Sequence, residues 1–309
     1  MKYTIYRNDL KYCDKAELTS DNIIWDGNLK EIYEKIDPFS LSYRISECER
    51  ENYTILDLTN LSESSVLNFF TTQFFTKYKD TIQHLFMESC KLSELPNLKE
   101  MSKLETLNVN NNNLIKISNL PHSLTELCAN NNKLIKINSK LRNILRLDVS
   151  HNSLTSCYNL RKCVYLNISH NNICDFNMKS PNMVELNINN NPLINFSTND
   201  MANLKYLDIR HTKIFKINNI DKLVNLIHFN SSYNNLSDIE EMNKLHQLKH
   251  LDLIKTNVKY IPYIPKLERL QITDSSDIIF NTKYKDVISK FNINKHNILS
   301  VHFDQIDQI

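Results

Sequence analysis

The side chains able to do chemistry are ten histidines, seven cysteines and a balanced set of 37 basic and 35 acidic residues. His151 and His170 occupy the same position in successive copies of a repeat of about twenty residues, which puts two imidazoles roughly 5 Å apart, close enough to share a metal ion. A third ligand is missing, because His211 falls two copies farther along, so no metal site is expected. Cys128, Asp148 and His151 are the residue types of an activated nucleophile. The same spacing separates the thiol from the imidazole by roughly 10 Å, beyond the hydrogen bond that a dyad needs. Lys116, Lys136 and Lys216 share an outer position, but Asp175 and Asp238 interrupt the row, so a solvated face is favoured over a phosphate-binding stripe. The single glycine, Gly27, removes the dinucleotide fingerprint, the Walker A loop and the nucleophile elbow, each of which needs glycine at fixed positions. No enzyme activity and no cofactor are expected.

The elements that must position these residues follow from self-similarity. Leu104, Leu107, Val109, Asn112 and Leu114 have the spacing L-x-x-L-x-L-x-x-N-x-L, and Leu124, Leu127, Ala129, Asn132 and Leu134 repeat it. Further copies run from Ile144, Cys163 and Met183, with looser ones from Ile82, Leu204, Leu226, Leu248 and Leu267. The starts are about 20.6 residues apart on average. A second apolar position three residues after the last leucine, including Leu95, Ile117, Ile137, Cys157, Phe176 and Phe196, supports the register. An eleventh, degenerate copy is expected at Ile288, Phe291, Ile293, His296, Ile298 and Val301. The ninth position reads Asn112, Asn132, Asn152, Asn171, Asn191, Thr212, Asn234 and Thr256, with Cys90, Ser275 and His296 at its ends. Every member carries a donor, so the column is expected to be structural and to take the turns that glycine cannot. Ser231 breaks the apolar pattern at an inward position, where a local weakness or a bound water is expected.

Four segments result: an α-containing N-terminal cap over 1–52, a long first repeat over 53–81, about eleven repeats over 82–303 and a tail over 304–309. Within the cap, Leu29, Ile32, Tyr33 and Ile36 have helical spacing, and Trp25 reads as a core residue. Val66, Leu67, Phe70, Phe74 and Phe75 predict one helix between Ser64 and Tyr78 that covers the open end of the core. Seven scattered cysteines without a C-x-x-C point to free thiols in a reducing compartment. The opening residues lack an apolar signal region and no run approaches a membrane span, so an intracellular, cytoplasmic protein is expected. Asn, Ile, Lys and Tyr are heavily used and Ala and Gly hardly at all, a bias expected of an AT-rich genome.

On these copies, residues 53 to about 303 resemble a leucine-rich repeat protein. Leu120-Pro121-His122-Ser123-Leu124-Thr125-Glu126-Leu127 is similar to the short repeats of bacterial effectors, whereas Asn235 through Leu251 is similar to the 22-residue repeats of internalins and protein-phosphatase-1 regulatory subunits. The sequence does not choose between them. The resemblance implies an α/β repeat solenoid, a right-handed arc with a parallel concave β-sheet, extended or 3-10 segments on the convex side and a helical N-terminal cap.

A concave sheet of this kind is expected to bind a protein partner and to act as a monomer. Its candidate anchors are Arg146, Tyr165, Tyr206, His228 and His250 in one column, and His151, His170, His211 and Tyr233 in the column beside the Asn ladder. Between them runs a short polar column of Asn108, Cys128, Asp148, Asn167, Asn187, Asp208, Asn230 and Asp252. A net charge of +2 gives no global attraction to nucleic acid or to a membrane surface. The alternative is a substrate-recruiting subunit of a ubiquitin ligase, docked through residues 1–52. Leu29 to Glu49 resembles the helical start of an F-box but lacks its leucine-proline opening.

Overall fold

The computed structural model describes residues 3–6, 22–25, 41–137, 141–156, 160–198, 200–273, 278–284 and 298–302. The expected helix from Asn28 to Ile36, the side chain of Trp25, Cys157 and most of the eleventh copy lie outside the described residues. The chain divides into two compact units, residues 1–133 with 137–140, and residues 134–136 with 141–309.

In the first unit a short antiparallel pair, Tyr3–Tyr6 with Asn22–Trp25, precedes helix α1, Leu41–Arg50. The helix buries Leu41 and Cys48, and Arg44 ties it to the first repeat through Asp57 Oδ2 at 3.0 Å and the Thr59 carbonyl at 3.1 Å. Parallel strands follow at Ile55–Asp57, His84–Phe86, Thr106–Asn108 and Glu126–Cys128, in register throughout. Each three-residue strand buries its central leucine and leaves its neighbours half-buried, the period-2 outcome of the L-x-L spacing.

The segment expected to form one helix forms two, α2 at Glu63–Phe69 and α3 at Gln73–Tyr78. Ser62 Oγ accepts the Ser65 N–H at 3.1 Å, and Thr72 Oγ1 accepts the Phe75 N–H at 3.2 Å. Thr72 is extended (φ −76°, ψ 155°), so it caps a new helix where a continuous one would have needed it helical. Val66 and Phe69 fill the core, and Phe70, Phe74 and Phe75 gather around Phe69 with centroid distances of 5.5 to 5.9 Å.

The second unit carries parallel strands at Arg146–Asp148, Tyr165–Asn167, Glu185–Asn187, Tyr206–Asp208, His228–Asn230, His250–Leu253 and Arg269–Thr273. All are joined in register. The opposite side is built from two- and three-residue pairs at Asp175–Phe176, Asn195–Ser197 and Ile217–Asn218, then from 3-10 turns at Ile220–Lys222 and Glu240–Lys244. About twenty residues per copy leave no room for more. Each unit is therefore leucine-rich-repeat solenoid with little helix in its repeats. One expectation is corrected at the far end: the place beside Arg269–Thr273 is taken by Ile298–His302 running antiparallel, not by a parallel eleventh strand near Lys290. An antiparallel return pairs the sheet edge without requiring another full repeat.

The ladder carboxamides hold adjacent copies together. Asn191 Oδ1 accepts the Ile173 N–H at 3.0 Å, while its Nδ2 donates to the carbonyls of Ile168, Ile188 and Asn189 at 3.0 to 3.2 Å. Asn171 does the same for Leu154, Val149, Ile168 and Ser169, and Asn112 for Cys90, Leu92, Met87, Val109 and Asn110. Asn132, Asn152 and Asn234 repeat the pattern, Thr212 reaches Asn234 Oδ1, and Thr256 Oγ1 donates to the Leu253 carbonyl. Ser231, expected to be a weak point, is fully buried with its hydroxyl oxygen 3.5 Å from Asn234 Nδ2.

The turn itself is taken by a different residue from the one expected. The left-handed position is the one before the ladder: Ser89, Asn111, Asn131, His151, His170, Asn190, His211, Tyr233 and Lys255 all have φ between 51° and 60°. The ladder Asn must keep its amide inward to meet buried carbonyls, so the backbone reversal falls on its outward-facing neighbour. Replacing Asn191 by Ala should cost about 3 kcal/mol or more, because several buried backbone groups lose partners, whereas Asn190→Ala should cost roughly 1 kcal/mol; urea denaturation of both variants checks the contrast. Ser89→Gly should raise stability by about 0.5 kcal/mol, through relief of the left-handed penalty.

Candidate functional site

Register turns sequence columns into rows of touching side chains. Parallel strands lie about 4.8 Å apart, close to the thickness at which flat rings stack. Tyr206, His228, His250 and Arg269 are direct partners across successive strands. Tyr206 stacks on His228 at 4.7 Å and 14°, and His228 on His250 at 4.2 Å and 1°. Glu185 interrupts the column, and beyond it the Arg146 guanidinium lies over the Tyr165 ring at 4.2 Å. The second column behaves alike. His151 stacks on His170 at 4.0 Å, Asn190 Nδ2 lies 3.2 Å from His170 Nε2, His211 stacks on Tyr233 at 4.1 Å, and Lys255 Nζ sits 5.1 Å from the Tyr233 ring. All nine candidate anchors thus belong to the second unit: Arg146, Tyr165, Tyr206, His228 and His250 lie in its strands, and His151, His170, His211 and Tyr233 in the turns that follow strands.

Rings stacked face to face present their edges to solvent, which suits hydrogen bonding more than capture of a cation on a ring face. The stacking also turns the His151 and His170 rings nearly parallel, 13° apart, rather than pointing both lone pairs at one ion. Among the described residues no group of three His, Cys, Asp or Glu side chains is placed to hold a metal. Burial pushes the Cys163 and Cys48 thiols up to about 12 and the Cys90 thiol up to about 11, which keeps these three protonated and poor as nucleophiles.

Between the columns the short polar row forms the floor. A depression of about 250 Å³ opens over it, lined by Glu185, Asn187, Tyr206, Asp208, His228, Asn230, His250, Asp252 and Arg269. Asp252, a member of this group, and Glu268, next in sequence to Arg269, carry signals that the sequence did not single out. Asp252 keeps Oδ1 buried without a hydrogen bond, and burial raises its carboxyl above the usual carboxylate range against the lowering pull of Arg269 and His250. Glu268 pairs with Lys249 and approaches His250 Nε2 at 3.9 Å.

Burial, helped by His250, Arg269 and Lys249 and opposed by Glu268, lowers the His228 pKa; burial with His151, Arg210 and His211 lowers that of His170. A histidine whose folded pKa lies below its unfolded value near 6.5 binds its proton more readily unfolded, so stability is lost as pH falls below about 6.5. His228→Gln should therefore lose less stability than wild type between pH 7.5 and pH 5, as urea midpoints at the two values would show. A steeper loss in the variant would contradict the assignment.

No protein-family model matches the chain, and no curated protein matches it by sequence. Solved structures do. YopM from Yersinia enterocolitica WA-314 is 24% identical, with a TM-score of 0.50, over 62% of this chain and 51% of that one. The chain thus matches about half the length of that protein. YopM from Yersinia pestis, a leucine-rich effector, is 21% identical with a TM-score of 0.57, covering 77% of this chain and 70% of its own. The octameric complex of Latrophilin 3, Unc5D and the FLRT2 leucine-rich repeats supplies a match at 18% identity and TM-score 0.56, over 67% of this chain and 72% of that chain. By its repeats, its parallel strands and these likenesses, the chain has a leucine-rich-repeat fold similar to that of YopM.

Proposed function

We propose that the protein is a non-enzymatic scaffold that binds another protein on the concave face of its repeats, through the columns of the second unit. The observation that supports this most is the run of pre-stacked side chains from Tyr206 to His250, with Arg146 on Tyr165 beyond Glu185. Aromatic rings and arginine carry a disproportionate share of interface energy, and side chains already held by their neighbours lose little entropy when a partner docks. Tyr206 is 41% and Tyr233 38% exposed, more than a ring needs for packing within its own sheet. The FLRT2 repeats, which share the fold, are part of a complex with two other proteins. Free thiols at Cys48, Cys90, Cys163 and Cys174 fit a reducing, intracellular setting. No helix among the described residues is long and apolar enough to cross a membrane.

Affinity capture from host-cell extract with wild type and with Tyr165, Tyr206, His228 and His250 all replaced by alanine tests the face. The variant should lose partner capture by about tenfold or more while its melting temperature moves by no more than about 5 °C. Unchanged capture would overturn the face assignment.

A further inference from the structure

The polar floor of the second unit follows one hydrogen-bonding rule. Asp148, Asn167, Asn187, Asp208 and Asn230 each use Oδ1 to accept the backbone N–H two residues on, from Ser150, Ser169, Asn189, Arg210 and Ser232, at 3.0 to 3.2 Å. These are Asx turns, and they satisfy the end of each strand. Asp252 departs from the rule. The N–H two residues on, at Ile254, donates instead to Ser232 Oγ at 3.1 Å. Asp252 Oδ1 is left buried with no donor, and the guanidinium of Arg269 stands 3.6 Å away, beyond hydrogen-bond reach.

That oxygen belongs to a residue lining the depression between Glu185 and Arg269. Asp208 on the same floor is already answered by Arg210 Nη2 at 3.0 Å and by Asn189 Nδ2 at 3.0 Å. Glu185 and Asp252 therefore face Arg269 as the one cation among the lining residues, and the ring edges of His228 and His250 add polar nitrogens beside them. With Asp208 answered by Arg210, the remaining charged residues of the lining, Glu185, Asp252 and Arg269, carry one negative charge in excess.

We propose that this depression seats an arginine side chain from the protein that docks on the face, its guanidinium pairing with the carboxylates of Asp252 and Glu185. The inference rests on the protein-binding reading above. A guanidinium offers five donors in a plane, enough to serve a carboxylate and an imidazole edge together, and its methylene stem lies along the edges of the Tyr206–His228–His250 stack. A partner's carboxylate would gain from Arg269 but would meet Glu185 and Asp252, so charge complementarity selects the basic side chain.

The test uses the full chain and two probes, acetyl-Gly-Arg-Gly-amide and acetyl-Gly-Glu-Gly-amide, followed through the histidine ring signals by NMR. The arginine peptide should shift the His228 and His250 signals saturably and the glutamate peptide should not. Asp252→Asn should weaken the arginine peptide by about tenfold or more, and Glu185→Gln by roughly two- to fivefold. Equal binding of the two peptides, or unchanged affinity in a folded Asp252→Asn variant, overturns the proposal; should that variant not fold, an unchanged affinity in Glu185→Gln does so. The fourfold alanine variant separates the two readings. If it loses partner capture while Asp252→Asn binds the arginine peptide like wild type, the arginine subsite falls and the docking face stands. If arginine binding depends on Asp252 while the alanine variant captures its partner undiminished, the subsite stands and the docking face falls.

Discussion

The structure depends on the buried carboxamide that joins one repeat to the next. A strand of three residues makes too few hydrogen bonds to fix its own place, and a leucine core is indifferent to small slips along the chain. The ladder asparagine is not indifferent. Its oxygen takes an N–H from the preceding copy, and its NH₂ group meets carbonyls of both copies, as Asn171 and Asn191 do with seven backbone groups between them. A slip of one residue would bury these groups unpaired at about 1–3 kcal/mol each, which is ample to select one register.

Register then decides what the surface is. Because each strand begins at the same point of its repeat, equivalent side chains meet across neighbouring strands, and columns become stacks: His228 on His250, His151 on His170, His211 on Tyr233. The same constraint sets the conformation of the second column. With its ladder neighbour held inward, the preceding residue must turn left-handed, and in this chain that position is filled by Asn, His, Ser, Tyr and Lys without a glycine. Binding candidates and turn residues are the same residues there, so a change of surface chemistry in that column also changes backbone strain. Side chains in the first column carry no such burden, which makes Tyr206, His228 and His250 the freer ground for recognition.

Much of this was legible in the sequence because it is periodic. The apolar spacing gave the strands and their order, and the ninth-position donors marked the ladder. What stayed hidden was whatever one repeat does differently. Thr72 splits the expected capping helix because its hydroxyl finds the Phe75 N–H, a choice that apolar spacing does not record. The antiparallel edge strand Ile298–His302 sits in a stretch whose residues still echo the repeat, so pattern alone favoured another parallel copy. The left-handed residue lies one position before the ladder, and Asn is common at both positions, so only the partners of the amide tell them apart.

Asp252 is the sharpest case of the same kind. By sequence it is one more member of a row of Asn and Asp, interchangeable with Asp208 or Asp148. Its difference arises from a neighbour: Ser232 Oγ, one strand away, takes the N–H that Asp252 would have held. A single competing hydroxyl thereby converts a turn-forming carboxylate into one with an acceptor to spare, beside a depression and a ring stack. In a repeat whose common residues are committed to holding copies together, chemistry becomes available where a bond of the repeat is diverted. The position of such diversions, more than the abundance of polar side chains on the face, is the physical basis for choosing among its residues.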